Sequence, residues 1–471
     1  MDDPTPPDAL RPTLDRLRGA WEARRPDARQ RRADLDRLAE ALRAGRDAMV
    51  DAIAADFGHR SRHETLLAEG MGAVSEVRRL RRSLGGWMRP VRGGAGWRLW
   101  PARAQLRREP LGVVGVMSPW NYPVILALAP LATAIAAGNH VYLKPSEQTP
   151  RTSAWLRDLL AAVFPDDRVA VALGGPELAS AFSALPFDHL VFTGSTALGR
   201  RVMAAAAENL TPVTLELGGK SPAIVAADYP PAKAAARLAT GKWFNAGQTC
   251  IAPDYVLVAR DSRDALVDAL RAEVRARYPD LAASSDYTWI INGGQHRRLR
   301  GLVEDARARG LEVIELADVH PAVAMRHRIV PPTLVLDPGD DALLMRDEIF
   351  GPVLPVIAYD RLEDAIAFVR RRDRPLALYP FSHDRATVEA ILGQVVAGGV
   401  TVNDTLLHFA AHGLPFGGVG ASGMGAYHGR AGFDAMTRAM PVLWQRRVAA
   451  SDLLRPPYRG LADRLVRLLA R

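Results

Sequence analysis

Cysteine occurs once in this 471-residue chain, as Cys250, closing the run Phe244-Asn245-Ala246-Gly247-Gln248-Thr249-Cys250. A lone cysteine excludes an internal disulfide and a thiolate-rich metal site. A small apolar core residue and a reactive thiol remain. Two other runs favour the thiol. Leu215-Glu216-Leu217-Gly218-Gly219-Lys220-Ser221-Pro222 sets a carboxylate, a candidate base, beside a glycine-rich turn. Pro119-Trp120-Asn121-Tyr122-Pro123 sets a carboxamide in a loop after an apolar strand. Nucleophile, base and oxyanion donor are the groups that covalent catalysis at a carbonyl requires. Each has a plainer reading. Cys250 is then core, Glu216 a strand carboxylate satisfied by backbone N–H groups, and Asn121 a turn residue before an aromatic–proline pair.

A phosphate-binding turn is the next candidate. No G-x-G-x-x-G follows the first strand of the α/β region. Gly194-Ser195-Thr196-Ala197-Leu198-Gly199 instead follows a strand and opens a helix. A helix N-terminus flanked by small residues accepts a phosphate, although a bare strand–helix turn has the same sequence. Lys220, inside the glycine turn, reads as structural. His189, His408, His412 and His428 lack metal-ligand spacing, and no metal is expected.

These groups need a scaffold. Short apolar runs at 111–117, 140–143, 169–173 and 190–192 read as buried strands. Helical stretches at 124–137, 151–163 and 176–184 lie between them. Strand–helix alternation implies a doubly wound parallel sheet, and a similar pattern after Glu216 implies a second α/β unit. Leu35, Leu38, Leu42, Met49 and Ile53 keep near-helical spacing, so 35–88 reads as helices. Residues 1–34, rich in proline, aspartate and arginine, are expected to begin without order. The run from Trp97 to Arg108 reads as an exposed strand or arm. Leu461, Leu465, Leu468 and Leu469 predict a short packed helix, with a membrane-surface helix as the alternative.

Composition sets the class. Apolar residues make up 48% and charged residues 24%, as in an ordinary soluble globular chain. The formal charge of +9 comes from dispersed arginines, since the only lysines are Lys144, Lys220, Lys233 and Lys242. That distribution reads as a solvated surface rather than a nucleic-acid site. The N-terminus shows no apolar signal region. The longest apolar stretch, 124–137, is too short for a bilayer and holds Pro130. A cytoplasmic protein is expected, consistent with a free thiol.

Together these motifs resemble the aldehyde dehydrogenase superfamily from about residue 35 to about residue 454. Lys144-Pro145-Ser146-Glu147, Phe192-Thr193-Gly194-Ser195-Thr196, Glu348-Ile349-Phe350-Gly351-Pro352 and Pro415-Phe416-Gly417-Gly418 carry it further. Ala55-Asp56-Phe57-Gly58-His59-Arg60-Ser61, Asn403-Asp404-Thr405-Leu406-Leu407-His408 and Gly425-Ala426-Tyr427-His428-Gly429 are similar to the shorter, class 3-like branch and to bacterial coniferyl aldehyde dehydrogenases. The resemblance implies an α/β fold with a Rossmann-type dinucleotide-binding domain, an α/β catalytic domain and a small oligomerisation sheet. It assigns 1–96 and 109–215, with a return at 396–432, to the first. It assigns 216–395 to the second, 97–108 and 433–447 to the arm, and 448–471 to a tail.

The resemblance also implies roles. Cys250 attacks an aldehyde, Asn121 and the Cys250 backbone N–H hold the oxyanion, and Glu216 activates water to release the acid. NAD or NADP accepts the hydride, with Trp120, Lys144, Glu147, Gly194, Ser195, Gly199, Glu348 and Phe350 around it. Glu147 suits a ribose 2′-hydroxyl and Lys144 a 2′-phosphate, so the two dinucleotides are not separated. Tyr122, His408 and Phe409 are expected near the substrate. Relatives that pass the acyl group to coenzyme A lack the base at Glu216, so hydrolysis is favoured. The expected substrate is an aromatic aldehyde such as coniferyl aldehyde, or a medium- to long-chain aliphatic one, and the expected assembly is a homodimer. A cysteine esterase, or a non-catalytic binding protein on the same scaffold, is the rival reading.

Overall fold

A computed structural model describes residues 4–470 except 412, 448, 450, 453–455, 457 and 459, so His412 lies outside the described residues. A six-stranded sheet runs, edge to edge, through Gly423–Met424, Val213–Leu217, His189–Gly194, Val113–Met117, His140–Lys144 and Val169–Val171. Every pairing is parallel except that of Gly423–Met424 with Val213–Leu217. Val113–Met117 and His140–Lys144 are buried at every position, because helices cover both faces. The helices Ile125–Ala137, Pro150–Val163, Pro176–Ser183 and Thr196–Ala207 make the crossovers. Ile125–Ala137 is buried along its whole length, Pro130 included.

Successive strands step one way from Val113–Met117 and then the other way, starting at His189–Gly194. At such a reversal the crossover helices lie on opposite faces, and a crevice opens beyond the C-terminal ends of the two strands. Residues 118–122 and 194–196 leave the sheet there.

A seven-stranded sheet follows. Its order is Val313–Glu315, Thr333–Leu336, Val353–Tyr359, Tyr255–Ala259, Pro222–Val225, Ala377–Phe381 and Gly399–Val400. The glycine turn at 218–221 carries the chain from one sheet to the other. Val213–Leu217 thus straddles the expected division at 215/216, because Glu216 is held by the first sheet. Gly399–Val400 belongs to the second sheet, and the chain rejoins the first at Gly423–Met424. A third, antiparallel sheet joins Val91–Gly93, Arg103–Pro110 and Thr437–Trp444. Trp97–Leu99, expected to be extended, forms a 3-10 turn instead.

The N-terminal region differs from expectation. Leu10–Ala23 and Ala28–Ala44 are helices. Leu10, Leu14, Leu17 and Trp21 are buried on one face. That stripe recurs every three or four residues, and the arginines and proline between its members obscure it. Leu10, Leu14 and Leu17 pack on the six-stranded sheet with Phe182 and Phe187. The helices Ala28–Ala44, Arg46–Phe57 and Gly72–Trp87 join the main core around Ile125–Ala137. In the tail, Gly460–Leu469 is helical, with Ala462 buried and Leu461, Val466 and Leu468 exposed. Among the described residues, no helix is long and apolar enough to cross a membrane.

Candidate active site

A cavity of about 650 Å³ lies at the crevice between the first two sheets. Trp120, Asn121, Gly194, Ser195, Glu216, Cys250, Glu348 and Phe350 all line it. Residues from four distant stretches therefore converge, as the sequence reading requires.

Glu216 pairs in register with Thr193 on one side and Gly423 on the other. Its side chain is buried, and neither carboxylate oxygen has a hydrogen-bond partner. The plainer reading, a strand carboxylate satisfied by backbone N–H groups, does not hold. Burial without a partner disfavours the charge and raises the pKa well above the usual carboxylate range. Glu348 is also raised, to about 8, first by burial and then by Asp254, while the Gly219 N–H and the Lys220 and Arg298 charges oppose the rise. A β-carbon on Gly218 would lie 1.9 Å from Glu348 Oε2, so only glycine lets this carboxylate cross the turn. Glu348 Oε1 has no partner.

Cys250 follows a left-handed turn. Asn245, Ala246 and Gly247 have φ of 53°, 50° and 73°. A non-glycine residue there costs about 1–2 kcal/mol, so two in succession need external support. The Asn245 backbone N donates to Glu64 Oε2 at 2.9 Å. Asn245 Nδ2 donates to the Asn121 and Gln248 carbonyls at 3.1 Å each. Gln248 Nε2 donates to the Asn245 and Trp289 carbonyls, and its Oε1 accepts from Ile291 N. A β-carbon on Gly247 would stand 2.3 Å from the Gly351 oxygen. Cys250 itself is partly exposed to the cavity. Its pKa is nevertheless raised, by burial first and then by the Glu348 and Glu216 carboxylates, so the resting group is a thiol.

Asn121 Nδ2 donates to the Gln248 carbonyl at 3.1 Å, two residues before the thiol. The Asn121 carbonyl also accepts from Arg60 Nη1 at 3.0 Å. The carboxamide is therefore held next to Cys250 rather than capping a turn. Trp120 and Phe350 meet edge to face at 5.3 Å and wall the cavity. Gly194 and Ser195 lead into Thr196–Ala207, and the Ser195 hydroxyl caps that helix by accepting from Leu198 N at 3.4 Å.

Other expected residues lie outside this cavity's lining. Lys144 Nζ and Glu147 Oε2 pair at 2.9 Å, each satisfying the other. Gly199 admits Leu217, which would come within 2.5 Å of an added β-carbon. The Tyr122 hydroxyl bonds Thr249 Oγ1 at 2.7 Å, and its ring stacks on Phe244. His408 Nδ1 meets Thr401 Oγ1 at 2.9 Å, and burial lowers its pKa to about 4. Phe409 packs edge-on against Phe416 and His428. Lys220, by contrast, does line the cavity, but its Nζ is held by Asp254 and by the Leu344 and Asp347 carbonyls, in keeping with a structural role.

Sequence reasoning missed several neighbours. Tyr427 is fully buried with no partner for its hydroxyl, and Glu216 and Cys250 are among the groups that raise its pKa after burial. Lys242 is buried with its ammonium unpartnered, and burial lowers its pKa to about 8. From the N-terminal layer, Arg60 reaches the Asn121 carbonyl and Glu64 reaches the thiol turn. The one local signal among these is Ser61-x-x-Glu64, which reads as a helix start.

The sequence profile of the Aldehyde dehydrogenase family matches residues 15–442. The chain belongs to this family. It is an oxidoreductase that oxidises aldehydes with a nicotinamide dinucleotide. A probable coniferyl aldehyde dehydrogenase of Pseudomonas aeruginosa is 49% identical, over 96% of this chain and 94% of that one. A coniferyl aldehyde dehydrogenase of a Pseudomonas species is 46% identical, over 97% and 95%. Human aldehyde dehydrogenase family 3 member B1 is 40% identical, over 91% and 90%. Among solved structures, the substrate-bound state of Staphylococcus aureus AldH superposes with a TM-score of 0.92 at 35% identity, covering 98% of this dehydrogenase and 99% of that chain.

Proposed function

We propose that this dehydrogenase oxidises aromatic aldehydes of the coniferyl type to the acid, with Cys250 as nucleophile, Asn121 as oxyanion donor and Glu216 as general base. One observation carries the reading: Cys250, Asn121 and Glu216 line a single cavity that the Gly194-Ser195 helix start also lines. The names of the relatives and the rings near the thiol (Tyr122, Phe244, Trp120 and Tyr427) support the aromatic class.

The Cys250 thiol gives its proton to solvent water, and the Sγ electron pair bonds the aldehyde carbon. The carbonyl π pair moves onto oxygen and gives a thiohemiacetal oxyanion. Asn121 Nδ2 and the Cys250 N–H hold that charge, and one such donor is worth about 3–4 kcal/mol. Collapse of the oxyanion reforms the carbonyl, expels hydride and leaves a thioester. NAD or NADP, when bound, supplies the hydride acceptor. The cleft fits that group: small residues open a twelve-residue helix toward it, and the buried Glu348 Oε1 is left without a partner. Gly194, Ser195, Trp120, Glu348 and Phe350 would hold it, with Lys144, Glu147 and Gly199 bordering its adenosine half. Glu216 then takes a proton from water, hydroxide adds to the thioester carbon, and the C–S bond breaks to release acid and thiolate.

The six-stranded sheet is proposed as the dinucleotide-binding body and the seven-stranded sheet as the catalytic one. Trp97, Trp100, Leu443 and Trp444, exposed at the third sheet, support a homodimer built across it. Cytoplasmic residence accords with the free thiol. Tyr122, His408 and Phe409 remain proposed as substrate-side residues. The test is absorbance at the reduced-nicotinamide band with an aldehyde panel and each dinucleotide in turn. Coniferyl-type aldehydes should give the highest kcat/KM. A preference confined to short aliphatic aldehydes would reject the substrate class.

A further inference from the structure

We propose that Arg60 and Glu64 are positioning residues for acylation, together holding Asn121 and the Cys250 turn in register from one short stretch of the N-terminal layer. The proposal rests on the roles assigned above to Cys250 and Asn121.

Ser61 caps the helix Arg62–Thr65, its hydroxyl accepting from Glu64 N at 3.3 Å. In such a start the glutamate usually turns back to the backbone N–H of the capping residue. Here it does not. Glu64 Oε2 accepts from Asn245 N and from Thr288 Oγ1, at 2.9 Å each, and the Thr288 hydroxyl accepts from Ser61 N at 3.3 Å. The carboxylate is thus diverted from its own helix to the first residue of the left-handed turn, 181 positions away in sequence.

Arg60 works on the other half of the site. Its Nη1 donates to the Asn121 carbonyl and to Glu69 Oε1, at 3.0 Å each. Glu69 Oε2 in turn accepts from Val124 N and Ile125 N, at 2.8 and 3.0 Å, and so anchors the helix that begins after Asn121. The Arg60 and Glu69 side chains are wholly buried, and Arg60 Nε and Nη2 have no partners. Its guanidinium lies 4.9 Å from the centres of both the Phe57 and Tyr122 rings. A buried pair of this kind adds little stability over packed apolar side chains. Its value lies in fixing geometry.

The two arms converge. Asn245 Nδ2 donates to the same Asn121 carbonyl that Arg60 holds. Asn121 Nδ2 and Asn245 Nδ2 share the Gln248 carbonyl. If Asn245 swings, the oxyanion donor and the thiol separate. A misplacement of about 1 Å costs about two orders of magnitude in rate.

The test measures the reduced-dinucleotide burst in the full-length enzyme, with dinucleotide affinity read separately by fluorescence. Glu64→Met removes the acceptor, and Glu64→Gln restores one. The burst should slow at least tenfold in Glu64→Met and recover to within about threefold of wild type in Glu64→Gln, with dinucleotide Kd and iodoacetamide alkylation of Cys250 nearly unchanged in both. Because Glu64 would act through the Asn121 site, Glu64→Met in an Asn121→Ala background should cost under about threefold more. Full multiplicative losses in the double variant, or equal losses in dinucleotide affinity, would overturn the proposal. An Asn121→Ala enzyme with a wild-type burst would reject the oxyanion reading itself and the proposal with it. A normal Asn121 effect beside a fast Glu64→Met burst would reject the brace alone. If Glu64→Met fails to fold, Thr288→Val, which frees the carboxylate from its second donor, enters the same cycle. It should then slow the burst threefold or more without changing dinucleotide Kd, and an unchanged burst would overturn the proposal.

Discussion

The two ends of the cavity are turns of opposite construction. At the nucleotide end, Gly194-Ser195 lies between a strand and a helix whose limits follow from local pattern, and the Ser195 cap is satisfied three residues along. At the thiol end, Asn245, Ala246 and Gly247 adopt a conformation their own sequence disfavours, held by Glu64, Asn121, Trp289 and Ile291. A turn that binds a phosphate needs only aligned N–H groups, which any helix start provides. A turn that aims a nucleophile must hold one atom within a fraction of an ångström of the productive position, so long-range contacts determine it.

The thiol turn is most vulnerable at Gly247. Its left-handed φ and the 2.3 Å approach of the Gly351 oxygen leave no room for a methyl. Gly247→Ala should slow the burst by about a hundredfold while dinucleotide Kd stays within about twofold of wild type. A parallel loss of dinucleotide affinity would mean that the two turns are not independent. Stopped-flow absorbance and fluorescence titration read the two quantities.

Acidity sharpens the contrast. Glu216 is buried with its pKa raised, so it is protonated, and inactive as a base, below that value. Deacylation should therefore rise about tenfold per pH unit until the raised pKa is passed, and then level off. A flat deacylation profile would remove Glu216 from the step.

The smallest effect is expected at the locally built end. Ser195→Ala removes a cap worth about 1 kcal/mol, so dinucleotide Kd should weaken by less than about tenfold. The burst at saturating dinucleotide should remain at the wild-type rate. A collapse of the burst would show that Ser195 also serves the chemistry.

Legibility in the sequence follows the same division. Strands and helices of the first α/β unit were readable because alternating apolar runs and helical spacing are local. Cys250, Glu216 and Asn121 were legible because their flanking motifs are dense. The helix at 10–23 was missed because arginine and proline interrupt its leucine stripe. Arg60 and Glu64 carry no local mark of Asn121 and Asn245, which lie 61 and 181 positions away, and no local pattern marks Tyr427 as a neighbour of the site. The division expected at 215/216 falls inside the strand Val213–Leu217, because a strand carboxylate at the edge of a turn belongs equally to either side until the pairing is known.

The most direct test of the central claim is the reduced-dinucleotide burst in Glu216→Gln, with Cys250→Ala alongside. The account predicts a burst of about one equivalent per subunit without steady turnover in Glu216→Gln, and none in Cys250→Ala. Steady turnover at the wild-type rate in Glu216→Gln, or a burst surviving in Cys250→Ala, would contradict it.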